Sequence, residues 1–255
     1  MENIMMQDLH RATRGSMSPD DSLPADSLAL ERLLAERFSC RAYLPDPVPR
    51  KVIERMLGMA QLSASWCNSQ PWQVIVTESD GSERFREALF AHAKADHAAH
   101  GGAPAVQPDF PFPAAYRGVY KERQREVGWQ LYQSVGIAQG DRVASAVQAM
   151  ENFRLFDAPH VLLITSERDL GVYGAVDCGI YLANVLLAGQ SLGVASVAQA
   201  ALAAYGPFIR DYFKIPDNRV IIAGASFGYA NPGHPANSFR SRRAELAGVI
   251  EWVSE

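Results

Sequence analysis

At 255 residues and 48% hydrophobic content, the chain can bury one substantial core and sits at the upper end of what a single domain holds. Its 24 basic and 28 acidic residues leave a formal charge of -4, which offers no overall attraction to nucleic acid or anionic membrane, so a bound anion must meet a local basic cluster. Three cysteines, Cys40, Cys67 and Cys178, are odd in number and form no C-x-x-C pair, which reads as free thiols in a reducing compartment and disfavours a zinc site.

Residues 1–26 contain no apolar run of signal-peptide length, and their Met, Asp, Ser and Pro content predicts a flexible or partner-dependent arm on a cytoplasmic protein. In "SLALERLLAERF" (27–38), Leu30, Leu33 and Leu34 share a helical face behind a possible Ser27 cap. Pro45, Pro47 and Pro49 then forbid continuation, and Pro49 suits the first turn of a second helix that buries Val52, Ile53, Met56, Leu57 and Ala60. A strand over 72–77 follows, then a helix through Phe85 and Leu89, then "HAAHGGAPAVQPDFPFPAAY", whose Gly, Pro and Ala content predicts a loop. Helical patterns at about 115–134 and 141–154 precede "HVLLIT", an apolar run that suits a buried strand. The apolar helix expected over 172–192 is interrupted by Asp177, Asn184 and Gln190, which makes it a poor lipid span and a better core helix, and Gly193 suits its left-handed close. "SVAQAALAAYGPFIRDYFKIP" reads as loop then short helix, "RVIIAGASFGYA" as the last central strand, and from Asn231 onward both periods are lost. About four strands against seven or eight helices, never in regular alternation, predict an α+β fold.

"GASFG" (224–228) satisfies G-x-S-x-G and follows a strand, but "YANPGHP" cannot supply the helix a nucleophile elbow needs, and no acid lies between Ser226 and His234. The competing account is that small residues let a buried strand pack closely. His92, His97 and His100 match no common zinc spacing and read as a helix end running into a loop. Neither a G-x-G-x-x-G after a strand nor a phosphate-binding G-x-x-x-x-G-K-[ST] occurs, though a dissociable nicotinamide substrate remains open. "RFSCR" offers Arg37, Ser39 and Arg41 at alternate positions, which suits a phosphate in extended backbone, and "FRSRR" (239–243) could add a cation. Each cluster alone also fits a solvated surface.

Taken in order, "ERFSCRAYLPDPVPRKVIERMLGMAQLSASWCNSQPWQVIV", "GIYLANVLLAGQSLGVASVAQA" and "SFRSRRAELAGVIEWV" resemble the FMN-dependent nitroreductase family over about residues 30–252. The resemblance implies an α+β sandwich with a central mixed or antiparallel sheet flanked by helices, forming an intertwined homodimer with FMN at the interface. It implies a domain over 27–255 with a variable helical insertion at about 96–135 and a C-terminal arm at about 231–255. Arg37, the Phe38 backbone, Ser39, Arg41 and Arg243 would then serve the FMN phosphate, with Arg240 a weaker candidate. Ser65, the Trp66 backbone and Asn68 would reach the twin's flavin, Gln70 would touch the ribityl chain or hold the turn, and the backbone at Ala198, Gln199 and Ala200 would approach the ring near N5. Two positions depart from the pattern: Trp66 and Cys67 stand where relatives carry small residues, and Phe38 stands where Arg or His is frequent.

No side-chain acid or base is obligatory if FMN carries the redox chemistry. NAD(P)H would deliver hydride and leave, and a small nitroaromatic acceptor would take its place in a ping-pong cycle, giving nitroso and hydroxylamino products. Phe110, Phe112, Tyr116 and Tyr120 are assigned to the acceptor pocket, and Trp129 and Tyr132 to the pocket or to ordinary helix packing. Alternatives are the same fold acting on quinones, halogenated phenols or unsaturated bonds, a flavin-binding protein without turnover, or a hydrolase using Ser226.

Overall fold

The computed structural model describes residues 23–101 and 105–254, so the expected arm lies, up to residue 22, outside the described residues. The chain divides into two compact units after Glu36. In the first, helix α1 (Ala25–Glu36) starts ahead of Ser27, which therefore lies inside the first turn and is not the cap. Asp26 in that turn complements the positive end of the helix dipole. None of its residues is buried, and Leu30 and Leu34 are 51% and 54% exposed.

The second unit, from Arg37 onward, is built on a four-stranded antiparallel sheet in the order β1-β2-β4-β3, with β1 at Gln73–Val76, β2 at His160–Glu167, β3 at Ala195–Gln199 and β4 at Arg219–Gly228. The two central strands are buried almost throughout, because helices cover both faces of the sheet. Strand periodicity separates the two cores. On one face, Leu162 and Ile164 of β2 with Ala225 and Phe227 of β4 pack under α2 (Arg50–Ala60) and α6 (Gly171–Ser191). On the other, Val161, Leu163 and Ile221 pack under α3 (Asp80–Ala99) and α7 (Gly206–Phe213). Helices α4 (Gly118–Ser134) and α5 (Arg142–Met150) have no buried residue and lie outside this sandwich.

Most elements form where their side chains call for them. Helix α2 follows Pro49, which occupies the N-cap with φ of -57°, and buries Ile53, Met56 and Ala60, while Val52 and Leu57 are partly buried against the same cluster. Helix α6 ends as Gly193 takes φ of +74°. By length and composition α6 could cross a membrane, but Asp177, Cys178, Tyr181 and Val185 on one side of it are buried in the sandwich, so it serves as a core helix. Two expectations fail. The stretch read as loop after Gly193 contains β3, because pairing with β4 imposes a strand on "ASVAQ", whose two alanines and glutamine carry little β preference. Likewise the loop expected from residue 97 begins later, since α3 continues through Ala99 on good helix formers.

His160, 1% exposed, joins the start of β2 to two loops. Its Nε2 accepts the Val48 N–H at 2.9 Å, which leaves Nδ1 to donate to the Thr77 carbonyl at 3.1 Å, and the ring stacks on Phe227 at 5.1 Å. The bond from Val48 requires the neutral ring, because a protonated Nε2 cannot accept. Burial, outweighing the bonds and the nearby Glu78, pulls the imidazole pKa below its ordinary value. The folded state thus resists a proton that the unfolded chain accepts, so this contribution is complete above the unfolded pKa of about 6.5 and is lost as pH falls below it. The urea midpoint should therefore drop between about pH 7 and about pH 5, and His160→Gln should show a smaller drop than the wild type when the two are compared in parallel.

Candidate functional site

Residues 37–43 leave α1 in extended form and lie along the free edge of β3. An isolated parallel bridge pairs Ser39 with Ser196, the Cys40 N–H donates to the Ser196 carbonyl at 3.1 Å, and a second bridge pairs Tyr43 with Ala230. The Tyr43 hydroxyl, fully within the core, lies 3.1 Å from the Cys40 carbonyl and 3.0 Å from that of Ser226. This fixes the first basic motif against the sheet.

The second basic motif arrives by way of Asn237, which is 7% exposed. Its Oδ1 accepts the Arg41 N–H at 2.8 Å, while its Nδ2 donates to the carbonyls of Ala42 at 2.8 Å and Asn231 at 2.9 Å. Chain ends some 200 residues apart in sequence are stapled by one amide. From there the Arg240 guanidinium lies 3.8 Å over the Phe38 ring and donates to the carbonyls of Asn237 and Phe239, and Arg41 donates to the Ser39 carbonyl. Arg243 is exposed and donates to the Ser241 hydroxyl at 2.8 Å. Arg240, the weaker candidate from sequence, is also exposed but is the one tied to the sheet-edge segment, through the Phe38 ring.

Four guanidinium groups therefore gather at one end of β3, and among the described residues none of Arg37, Arg41, Arg240 and Arg243 is paired with a carboxylate. Burial, and then the neighbouring Arg243, lower the Arg37 pKa, and burial is also the main cause that lowers those of Arg41 and Arg240. Partly desolvated Arg37, Arg41 and Arg240, with Arg243 repelling Arg37, favour a bound anion. The donor set fits the phosphate of FMN.

Further along β3, Gln199 is buried: its Oε1 accepts from the Ser226 hydroxyl at 2.5 Å and its Nε2 donates to the Asn152 carbonyl at 2.9 Å. Ala198 and Ala200 alternate with it on the exposed side, leaving a surface of backbone and methyl groups where a planar ring could lie close. Ser226, 0% exposed within β4, cannot be a nucleophile open to substrate. The glycines flanking it are there for packing, because a Cβ at Gly224 would meet Leu202 Cδ1 at 2.5 Å and one at Gly228 would meet Pro159 Cδ at 2.6 Å.

The turn over 65–70 lies elsewhere, leading into β1 at the opposite edge of the sheet, three strand spacings or about 14 Å from β3. Cys67, Asn68 and Gln70 take φ of +52°, +55° and +46°, a left-handed region unfavourable to side chains. A polar mesh holds them there. The Ser65 hydroxyl accepts the Gln70 N–H at 3.0 Å, and Gln70 Nε2 donates to Asn68 Oδ1 at 3.1 Å, so Gln70 holds the turn. Gln61 links Gln70 to the indole N–H of Trp72. Of the Trp66 backbone, expected to reach the twin's flavin, the N–H donates to Asp177. Its carbonyl accepts the Ser69 N–H at 3.0 Å, and its side chain, 61% exposed, packs edge-on against Tyr173.

The insertion is anchored at its base and open beyond. Gln107 donates its N–H to the Ala204 carbonyl, and the Asp109 carboxylate accepts from Arg210 at 2.8 Å and from the Ile221 N–H at 2.7 Å. Phe110 is half-buried, but Phe112, Tyr116 and Tyr120 are exposed, so within one chain these aromatics form no closed pocket. A cleft of 400 Å³ beside β1, lined by Thr165, Phe213, Lys214 and Arg219 among others, contains none of the predicted site residues. His92 lies inside α3, stacked on Phe208, and His100 pairs with Asp96; among the described residues no group of His, Cys, Asp or Glu assembles to hold a metal.

Sequence reasoning singles out neither Asn237, which sits where the sequence has no periodicity, nor Asp177, which reads only as an interruption in an apolar helix.

A sheet sandwiched by helices with arginines from both chain ends at its edge strand is a nitroreductase-type flavin scaffold, and the chain belongs to the nitroreductase family, whose pattern matches residues 34–229. It is 34% identical to the nitroreductase NfnB of Mycolicibacterium smegmatis over 226 residues, 88% of this chain and 92% of that protein. A 4-nitrobenzoate reductase of Pseudomonas putida is 30% identical, covering 88% and 95% of the two chains. The crystal structure of the FMN-dependent nitroreductase NfnB from Mycobacterium smegmatis in complex with NADPH superposes with a TM-score of 0.81 at 32% identity, covering 89% of this chain and 99% of that one.

Replacing Asn237 with Ala removes three hydrogen bonds of a buried amide, which should cost about 1–3 kcal/mol and release the segment beyond it. Limited trypsin digestion should then cut after Arg240, Arg242 or Arg243 faster than in the wild type while the remaining core stays resistant.

Proposed function

We propose that the chain is an FMN-dependent oxidoreductase that uses NAD(P)H to reduce nitroaromatic compounds to nitroso and hydroxylamino products, working as a homodimer in the cytoplasm. The observation that carries this reading is the gathering of Arg37, Arg41, Arg240 and Arg243 beside β3 without a carboxylate partner, in a chain so similar to NfnB and to a 4-nitrobenzoate reductase. FMN, when bound, would supply the two-electron chemistry between the nicotinamide and the acceptor. The chain's own residues bind and orient. Arg37, Arg41, Arg240 and Arg243 hold the phosphate through charge-assisted hydrogen bonds, Ser39 and the Phe38 backbone add neutral contacts, and Ala198, Gln199 and Ala200 offer close backbone approach. A single nicotinamide-then-acceptor position makes the cycle ping-pong, with Phe110, Phe112, Tyr116 and Tyr120 closing over it.

Dimerisation explains two features that one chain leaves unsatisfied. The 65–70 turn lies at the far edge of the sheet from the arginines, so Ser65 and Asn68 serve the twin's flavin. In addition, Val172, Tyr173, Val176 and Ile180 form an exposed apolar stripe on α6 beside Trp66 and Leu62, an area that soluble monomers rarely leave open. The exposed Leu246, Val249, Trp252 and Val253 of the C-terminal arm suit the same interface. The three free thiols fit a reducing cytoplasm.

Purified protein should be yellow, run as a dimer, and oxidise NADPH or NADH only when a nitroaromatic such as 4-nitrobenzoate is present; colourless protein that takes up no added FMN would overturn the reading. Quinone, halophenol and enone acceptors in the same assay resolve the acceptor class. Arg41→Ala and Arg240→Ala should each remain dimeric and lose roughly 1.5–3 kcal/mol of FMN affinity, about ten- to a hundredfold.

A further inference from the structure

We propose that Asp177 is a positioning residue for the flavin site: its buried carboxylate holds the 65–70 turn in the left-handed form from which Ser65 and Asn68 reach FMN. The inference rests on the flavin function proposed above. Asp177 is 5% exposed, on the inner side of α6. Both of its oxygens lie 3.2 Å from the Trp66 backbone nitrogen, and Oδ2 lies 3.3 Å from the Ser69 hydroxyl. Among the described residues no cation pairs with it. A buried carboxylate met by neutral donors alone is a costly way to fill a core position, so its partners must be held firmly.

Those partners bracket the left-handed pair Cys67 and Asn68. Trp66 precedes Cys67 and Asn68, and Ser69 precedes Gln70, so the clamp grips the turn on both sides of its left-handed pair. Tyr173 lies one helical turn before Asp177 and packs against the Trp66 ring at 4.4 Å, giving α6 a second grip on the same residue. Without Asp177, the Trp66 N–H loses its acceptor, and the Ser65, Gln61 and Gln70 bonds alone must oppose relaxation of Cys67 and Asn68 toward ordinary backbone regions. Ser65 and Asn68 would then leave the positions that suit the flavin. Asp177 itself need never touch FMN.

The test follows FMN release from purified holoprotein by the fluorescence of free flavin, together with visible circular dichroism of the bound flavin. Asp177→Ala should weaken FMN binding about tenfold or more and alter the flavin dichroism, while Asp177→Asn, whose amide oxygen still accepts the Trp66 N–H, should recover most of both. Rescue by Asn is what a clamp requires, and a merely structural role would move melting temperature without altering the flavin dichroism. Wild-type affinity and dichroism in Asp177→Ala, or no recovery in Asp177→Asn, would overturn the proposal. Should Asp177→Ala fail to fold, Ser69→Ala removes one grip alone and should weaken FMN binding a few-fold at unchanged melting temperature; an unaltered affinity there overturns it too. If wild-type protein takes up no FMN, the flavin reading fails first and this inference goes with it, an outcome distinct from a variant-specific null.

Discussion

One side-chain amide joins two segments 196 residues apart in this chain. By accepting from Arg41 and donating to Ala42 and Asn231, Asn237 makes the segment after α1 and the segment after β4 into one layer on the edge of β3. That layer turns scattered arginines into a site. Without it, "RFSCR" and "FRSRR" would be two solvated basic patches, each screened separately; with it, their guanidinium groups are drawn together and partly stripped of water. An anion bound there would relieve that crowding of charge, which is why the proposed phosphate site falls on this layer.

The sheet explains how such a layer can be rigid. Its central strands are covered on both sides, which leaves β1 and β3 as edges, and β3 is occupied by the 37–43 segment through the Ser39 bridge and the Cys40 hydrogen bond. Gln199 adds a link from the edge inward, bonding the Ser226 hydroxyl of β4 and the carbonyl of Asn152. A strand anchored on both sides can offer its outer surface to a cofactor without yielding. The small residues of "GASFG", which resemble a hydrolase motif, are instead what lets Leu202 and Pro159 approach β4.

At the other edge, the 65–70 turn carries conformational strain in place of clustered charge. Three non-glycine residues with positive φ persist because neighbouring groups hold them: Ser65 and Gln70 from within, Gln61 from α2 and Asp177 from α6. Helix α6 thus has two sides with different tasks. Its buried side fills the core and clamps the turn, while Val172, Val176 and Ile180 face outward as an apolar stripe.

The sequence by itself determined the elements whose signal is local. The period of α2, the proline stop before it, the continuous apolar run of β2 and the glycine after α6 each predict their own structure, because hydrophobic spacing and backbone restriction act within a few residues. Motif order likewise pointed to the family and its flavin. Tertiary structure alone decided the rest: that "ASVAQ" is a strand, that Asn237 and Asp177 are the clamps, that Arg240 stacks on Phe38, and that the Trp66 N–H is already bonded. Each depends on a partner found about 25 to 200 residues away in the chain, such as β4 for β3 or Arg41 for Asn237, and no local pattern encodes a hydrogen bond whose other half is that distant.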